Sequence, residues 1–195
     1  YLNSELLKMG GMCEEAISYA VKYLLENDIS MKENALETER QIDRTEREIE
    51  SLCMKLLVHQ QPVASDFRVI TAALKMISDM ERIGDQSSDL AEIISIGNIN
   101  DIPDELPLLK MSSAVKKMVT ESIDAFVKKD IVRAQSVIDY DDVVDGYFNE
   151  CKSVLISELK NNSLNGEALV DLLMIAKYFE RIGDHAVNIA SWVIF

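Results

Sequence analysis

The pentapeptide Glu81-Arg82-Ile83-Gly84-Asp85 recurs unchanged 99 residues later as Glu180-Arg181-Ile182-Gly183-Asp184. An exact repeat of charged, apolar and glycine positions near the end of each half of a 195-residue chain marks an internal duplication. Whatever architecture one half adopts, the other must adopt as well.

The periodicity on both sides of the repeat is helical, with apolar residues recurring every three or four positions. The first half predicts helices from about Ser4 to Glu26, from about Ser30 to His59, and from about Ser65 to Ile96. Asn27-Asp28 separates the first pair, and Ser30 to Glu33 reads as a capping box. Gln60-Gln61-Pro62 ends the second helix, because proline pushes the residue before it out of the helical region. Ser65 or Asp66 is the expected cap of the third. Residues 98–107, with Pro103 and Pro107, form the clearest linker. The pattern then restarts, with helices from about Leu108 to Lys129, from a cap at Asp130 to about Lys160, and from about Glu167 onward. The turn between the last two is Asn161 to Gly166. The expected fold is therefore all-α, two tandem three-helix bundles, residues 1–97 and 108–195, joined by 98–107.

Charge excludes some functions. The net charge is −14, with no basic cluster, which argues against nucleic-acid binding by phosphate neutralisation. Cys13, Cys53 and Cys151 lie far apart in helical settings and form no CxxC pair, the pattern of reduced, buried thiols in a cytoplasmic protein. No apolar run approaches the ~20 residues of a membrane span. No signal peptide is visible, and the chain starts at Tyr1 and stops at Phe195 inside a helical pattern, as expected of a sequence trimmed at both ends and so able to have lost a targeting segment.

The pentapeptide places two acids at i and i+4, and the middle helix of each half carries another such pair. The four pairs are Glu39 with Asp43, Glu81 with Asp85, Asp141 with Asp145, and Glu180 with Asp184. Residues four apart share a helix face, where like charges repel by roughly 0.2–0.5 kcal/mol per exposed pair. One such pair is ordinary on a solvated face. Here, however, the acids continue apolar series. Ile70, Leu74 and Ile77 lead to Glu81 and Asp85. Leu169, Leu173 and Ala176 lead to Glu180 and Asp184. Asp141 and Asp145 sit between Ala134, Ile138 and Phe148. The acids are thus expected on faces turned to the core.

Register points the same way. Glu39 with Asp85 and Asp43 with Glu81 share a midpoint at residue 62, and Asp141 with Asp184 and Asp145 with Glu180 share one between 162 and 163. Both midpoints fall on the turns already assigned, so antiparallel helices bring four carboxylates of each half to one level. Such a cluster needs protonation, an arginine network through Arg82 and Arg181, or a cation. All-oxygen ligands suit Mg²⁺, Ca²⁺, Mn²⁺ or ferric iron, with Zn²⁺ admissible. Gly84 and Gly183, each costing roughly 1 kcal/mol against alanine in a helix, mark a close approach by a ligand or by another helix.

These motifs resemble the PhoU family. The resemblance rests on Asp79-Met80-Glu81-Arg82-Ile83-Gly84-Asp85, on Tyr178 to Ala190, and on Gln61 to Arg68 at the start of the third helix, and it extends over nearly the whole chain. It implies a metal-binding negative regulator of phosphate uptake, not an enzyme. Such a protein is a cytoplasmic adaptor between the ATPase subunit of a phosphate ABC transporter and a membrane sensor histidine kinase, associated with the membrane only through those partners. It also implies a homodimer and multinuclear iron or zinc clusters on the paired acids, with Mg²⁺, Ca²⁺ or Mn²⁺ as alternatives. Asp89 and Asn188, one turn further on, are secondary ligand candidates of differing type.

The rival reading is a ferritin-like, carboxylate-bridged di-iron redox protein. Those sites add Glu-x-x-His to two helices. His59 and His185 are the only histidines, and neither has Glu three residues before it.

Overall fold

The computed structural model describes residues 1–59, 63–97, 99, 102–161 and 165–195. Among them are six α-helices: α1 (Leu2–Glu26), α2 (Ile29–His59), α3 (Ala64–Ile96), α4 (Leu108–Lys128), α5 (Ile131–Asn161) and α6 (Gly166–Ile194). No strand occurs among the described residues. The expected turns at Gln60-Gln61-Pro62 and at Asn162 to Leu164, and the linker residues Asn98, Asn100 and Asp101, lie outside the described residues.

The helix boundaries follow local chemistry. Helices α1 and α4 end alike, in single left-handed residues, Asn27 at φ 51° and Lys129 at φ 54°. Each bonds its amide back into the preceding turn. An aspartate follows each. Asp28 Oδ1 accepts from the Ser30 amide at 2.9 Å, and Asp130 Oδ1 from the Arg133 amide at 3.0 Å. Asp130 is the cap read from the sequence, whereas in the first half Asp28 rather than Ser30 fills that role. A shorter path from the left-handed residue leaves Asp28, not Ser30, at the exposed amides. Helix α3 starts at Ala64 after an extended Val63, with no side-chain cap, so neither Ser65 nor Asp66 caps it. Asn165 caps α6 by accepting from the Glu167 amide.

Helices α1, α3, α6 and α4 form a four-membered ring, each touching the next. Helix α2 packs outside on α1 and α3, and α5 outside on α4 and α6, so the two lie at opposite ends of the molecule. Each half has its own core. Leu6, Cys13, Ile42, Ile49, Ile83 and Leu90 fill the first, and Met111, Val115, Val137, Val144, Phe179 and Ile182 the second. The cores merge across the ring into one apolar cluster. Met9, Met12, Met111 and Met118 are buried in it, and Met31 packs at its edge. Gly10 brings α1 against α4 so closely that an added Cβ would lie 2.7 Å from Ile123 Cδ1.

The three cysteines are unpaired and buried. Burial pushes the thiols of Cys53 and Cys151 up to about 11, and that of Cys13 up as well. Cys13 Sγ donates to the Met80 carbonyl at 3.4 Å. Among the described residues no helix is long and apolar enough to cross a membrane.

Candidate metal centre

The four acids of the first half face one another across the groove between α2 and α3. Glu39, Asp43 and Asp85 each offer a carboxylate oxygen, and the three atoms lie within 4.8 Å of one another. Glu81 stands beside Asp85 and Asp43, whose charges add to its burial in pushing its carboxyl up. Glu39 is raised first by burial, then by Asp43 and Asp85. Arg82 braces the cluster from outside, with Nη1 at 3.0 Å from Asp85 and Nε at 3.5 Å from Glu81, and Arg47 lies 3.4 Å from Asp43.

None of the eight acids is fully buried, which differs from the core-facing placement expected. Those of the first half are half-buried, as are Asp141 and Glu180, while Asp145 and Asp184 are exposed. The reason is geometric. A step of four residues overshoots one turn by about 40°, so an i, i+4 pair drifts off the core line. The core positions beside the acids belong to Ile42, Ile83 and Gly84 in the first half and to Val144, Phe179 and Gly183 in the second. The acids therefore line the rim of each groove, where oxygens from two helices converge and solvent still reaches them.

The glycines of the pentapeptide serve this approach unequally. A Cβ at Gly84 would lie 3.0 Å from Ile42 Cδ1, so α2 and α3 close on the glycine itself. At Gly183 the nearest atoms, Asp141 Oδ1 at 3.5 Å and two valine methyls, leave ordinary room.

The second groove differs. Asp141 is pushed up to about 6 by burial first, then by Asp145, Asp184 and Glu180. Its Oδ1 is buried and has no partner. Asp184, though exposed as a whole residue, is raised by partial desolvation of its carboxyl and then by Glu180. Among the described residues, no three acids of this half come as close as Glu39, Asp43 and Asp85 do. Lys177 Nζ contacts Glu180 Oε2 instead, as a contact of charges without hydrogen-bond alignment.

Sequence reasoning missed Glu46, which sits beside Asp43 and Glu81 and accepts from Ser78 Oγ at 3.4 Å; burial raises it too. Its spacing, seven from Glu39 and three from Asp43, was the available signal. The secondary candidates Asp89 and Asn188 sit where α3 meets α6. Asp89 lies near enough to Tyr178 and Glu39 for its charge to add to burial in raising both, while Asn188 Nδ2 donates to Asp79 at 3.0 Å. His185 Nδ1 lies 3.0 Å from the same Asp79 oxygen. Asn188 is thus engaged across the ring rather than with Glu180 and Asp184.

The donor set, oxygen from two helices and neither nitrogen nor sulfur, fits a hard cation in the first groove. The comparisons with known proteins bear on the whole chain. Residues 6–94 and 108–193 each match the PhoU domain. The phosphate-specific transport system accessory protein PhoU homolog of Pseudomonas aeruginosa is 34% identical over 196 residues, covering 100% of this chain and 81% of that protein. Its counterpart in Clostridium acetobutylicum is 34% identical over 198 residues, covering 100% and 90%. The crystal structure of PhoU from Pseudomonas aeruginosa superposes with a TM-score of 0.91 at 34% identity, over 99% of this chain and 93% of that one. The phosphate transport system regulatory protein PhoU from Streptococcus pneumoniae superposes at 0.90 with 25% identity, over 99% and 91%. These relatives are named as accessory or regulatory proteins, not as enzymes. With the domain matched in both halves and about a third of the residues shared along the full length, the chain belongs to the PhoU family.

Proposed function

We propose that this protein is a metal-binding negative regulator of phosphate uptake. In this reading it acts as an adaptor between the ATPase subunit of a phosphate ABC transporter and a membrane sensor histidine kinase. Its relatives' names, as accessory and regulatory proteins of phosphate transport, support the regulatory role. Glu39, Asp43, Glu81 and Asp85 would hold the cation, Glu46 standing beside them. The observation that carries this is the convergence of Glu39, Asp43 and Asp85 from two helices. Bound there, a cation supplies positive charge that removes the mutual repulsion of the acids. The residues themselves tie α2 to α3 at one level. The oxygen-only donors favour ferric iron, Mn²⁺, Mg²⁺ or Ca²⁺ over Zn²⁺, which more often takes nitrogen or sulfur ligands.

Elemental analysis of protein purified without chelator tests the site. The wild type should carry metal, and Glu81→Ala with Asp85→Ala should lose it while keeping its helical circular dichroism. Unchanged metal content in that variant would sink the assignment. For the adaptor role, a pull-down from phosphate-replete cells should recover the transporter ATPase or the kinase, and recovery of neither contradicts it.

The di-iron redox alternative gains no support. His59 is exposed at the end of α2 and His185 is turned to Asp79, so no histidine faces the first groove among the described residues.

A further inference from the structure

The duplication makes each groove a control for the other. Aligned on the repeated pentapeptide, Ser78 of the first half corresponds to Lys177 of the second, and Asp89 to Asn188. Aligned on the acid pairs of α2 and α5, Glu46 corresponds to Phe148. All three changes are toward positive charge, and two of them, Lys177 and Phe148, lie at the second groove, whereas Asn188 faces Asp79. Ser78 and Glu46 touch each other in the first half, and so do their replacements: Lys177 Nζ lies 5.3 Å from the Phe148 ring centroid, within cation–π range. The swap is therefore a matched pair, an acid and its hydroxyl donor exchanged for an ammonium and the ring that seats it. From that seat Lys177 contacts Glu180 Oε2, an oxygen with almost no solvent contact. Lys152 Nζ flanks the same ring at 5.1 Å.

Opposing changes exist. Arg40, Arg44 and Arg47 of α2 correspond to Asp142, Gly146 and Asn149 of α5. All six of these residues are exposed, where solvent and salt screen their charge. Lys177 acts against a buried oxygen, where its charge counts for more.

We propose that Lys177 is the resident cation of the second groove, an ammonium that stands in for a metal ion, so that the chain takes a divalent cation tightly in the first repeat alone. This rests on the reading of the first groove given above. It also assigns distinct work to the two halves: the first groove exchanges its ion with the surroundings, and the second is permanently compensated by the chain itself.

Mn²⁺ binding followed by the electron paramagnetic resonance of the free ion tests it. The full chain should bind Mn²⁺ tightly in one groove, and Glu39→Ala with Asp85→Ala should abolish that binding. In this double-variant background, Lys177→Met keeps the aliphatic stem on Phe148 and removes the charge. It should create Mn²⁺ binding that depends on Asp141 and Glu180, with Kd at least tenfold lower than in the Lys177 parent, whereas Lys177→Arg should not. The reciprocal change Ser78→Lys in the wild type, at an exposed position, should weaken the first site at least tenfold. Equal tight binding in both grooves of the wild type, or no gain from Lys177→Met in folded protein, overturns the proposal. If Lys177→Met fails to fold, unchanged affinity in Ser78→Lys overturns it. A wild type without tight Mn²⁺ binding refutes the first-groove reading instead. In that case a gain in Lys177→Met still upholds the role of Lys177, and no gain refutes that as well.

Discussion

At the scale of residues, the grooves are held together against their own charge, and this sets how the protein responds to pH. Asp141 holds its proton up to about 6 in the fold, against an ordinary value of 3.8. A carboxyl raised by folding binds its proton more tightly in the native state. Its contribution therefore grows as pH falls through about 6 and is complete below its unfolded value. Glu39, Glu81, Glu46 and Asp184 are raised too and act in the same direction. Metal-free protein should thus show a higher urea midpoint at pH 5 than at pH 7.5. Asp141→Asn should raise the midpoint at pH 7.5 and flatten the dependence, and a midpoint that falls from pH 7.5 to pH 5 would contradict this account. The pentapeptide glycines give a second prediction. Gly183→Ala gains helix propensity and meets only ordinary contacts, so it should stabilise the chain by about 0.5–1 kcal/mol in equilibrium unfolding. Gly84→Ala must displace Ile42 and should gain less or lose stability, and pairing it with Ile42→Val should recover the difference. The meeting of the acids was readable because antiparallel register depends only on sequence positions and the turn. Their depth was not, because an i, i+4 series drifts around the helix, and a residue or two decides whether Val144 or Asp145 faces inward. Lys177 was hidden for a different reason. Its meaning comes from Phe148 on another helix, and it emerges only when the two halves are compared in space.

At the scale of elements, the six helices were legible almost to the residue, because each break carries its own chemistry. Asn27-Asp28 and Lys129-Asp130 are the same device used twice: a left-handed residue that stops one helix and an aspartate that starts the next. Reading Ser30 as the cap failed because Ser30 to Glu33 matches the capping-box pattern, while the helix itself starts at Ile29 and takes its cap two residues sooner, at Asp28. The two left-handed residues differ in cost. Asparagine tolerates the conformation, whereas lysine pays about 1 kcal/mol for it. Lys129→Gly should therefore raise the unfolding free energy by up to about 1 kcal/mol, while Asn27→Gly should change it little. Thermal or urea unfolding of the pair distinguishes them, and equal effects would refute the argument. Losing the carboxylate in Asp130→Ala should cost about 1 kcal/mol.

At the scale of the whole molecule, the ring of α1, α3, α6 and α4 binds the repeats into one body. The core runs across it, and polar contacts stitch it where Asp79 meets His185 and Asn188. Unfolding of the full chain should accordingly be a single transition, with calorimetric and van't Hoff enthalpies equal. Two resolved transitions would show that the halves stand alone. The docking of the repeats was not legible, because periodicity identifies an apolar face without naming its partner; Gly10 against Ile123 is such a contact. The sealed core has a consequence for experiment. Its three thiols, at Cys13, Cys53 and Cys151, meet no solvent while the body is closed. An electrophile added to the folded protein must wait for the body to open, so the rate of alkylation serves as a clock for opening.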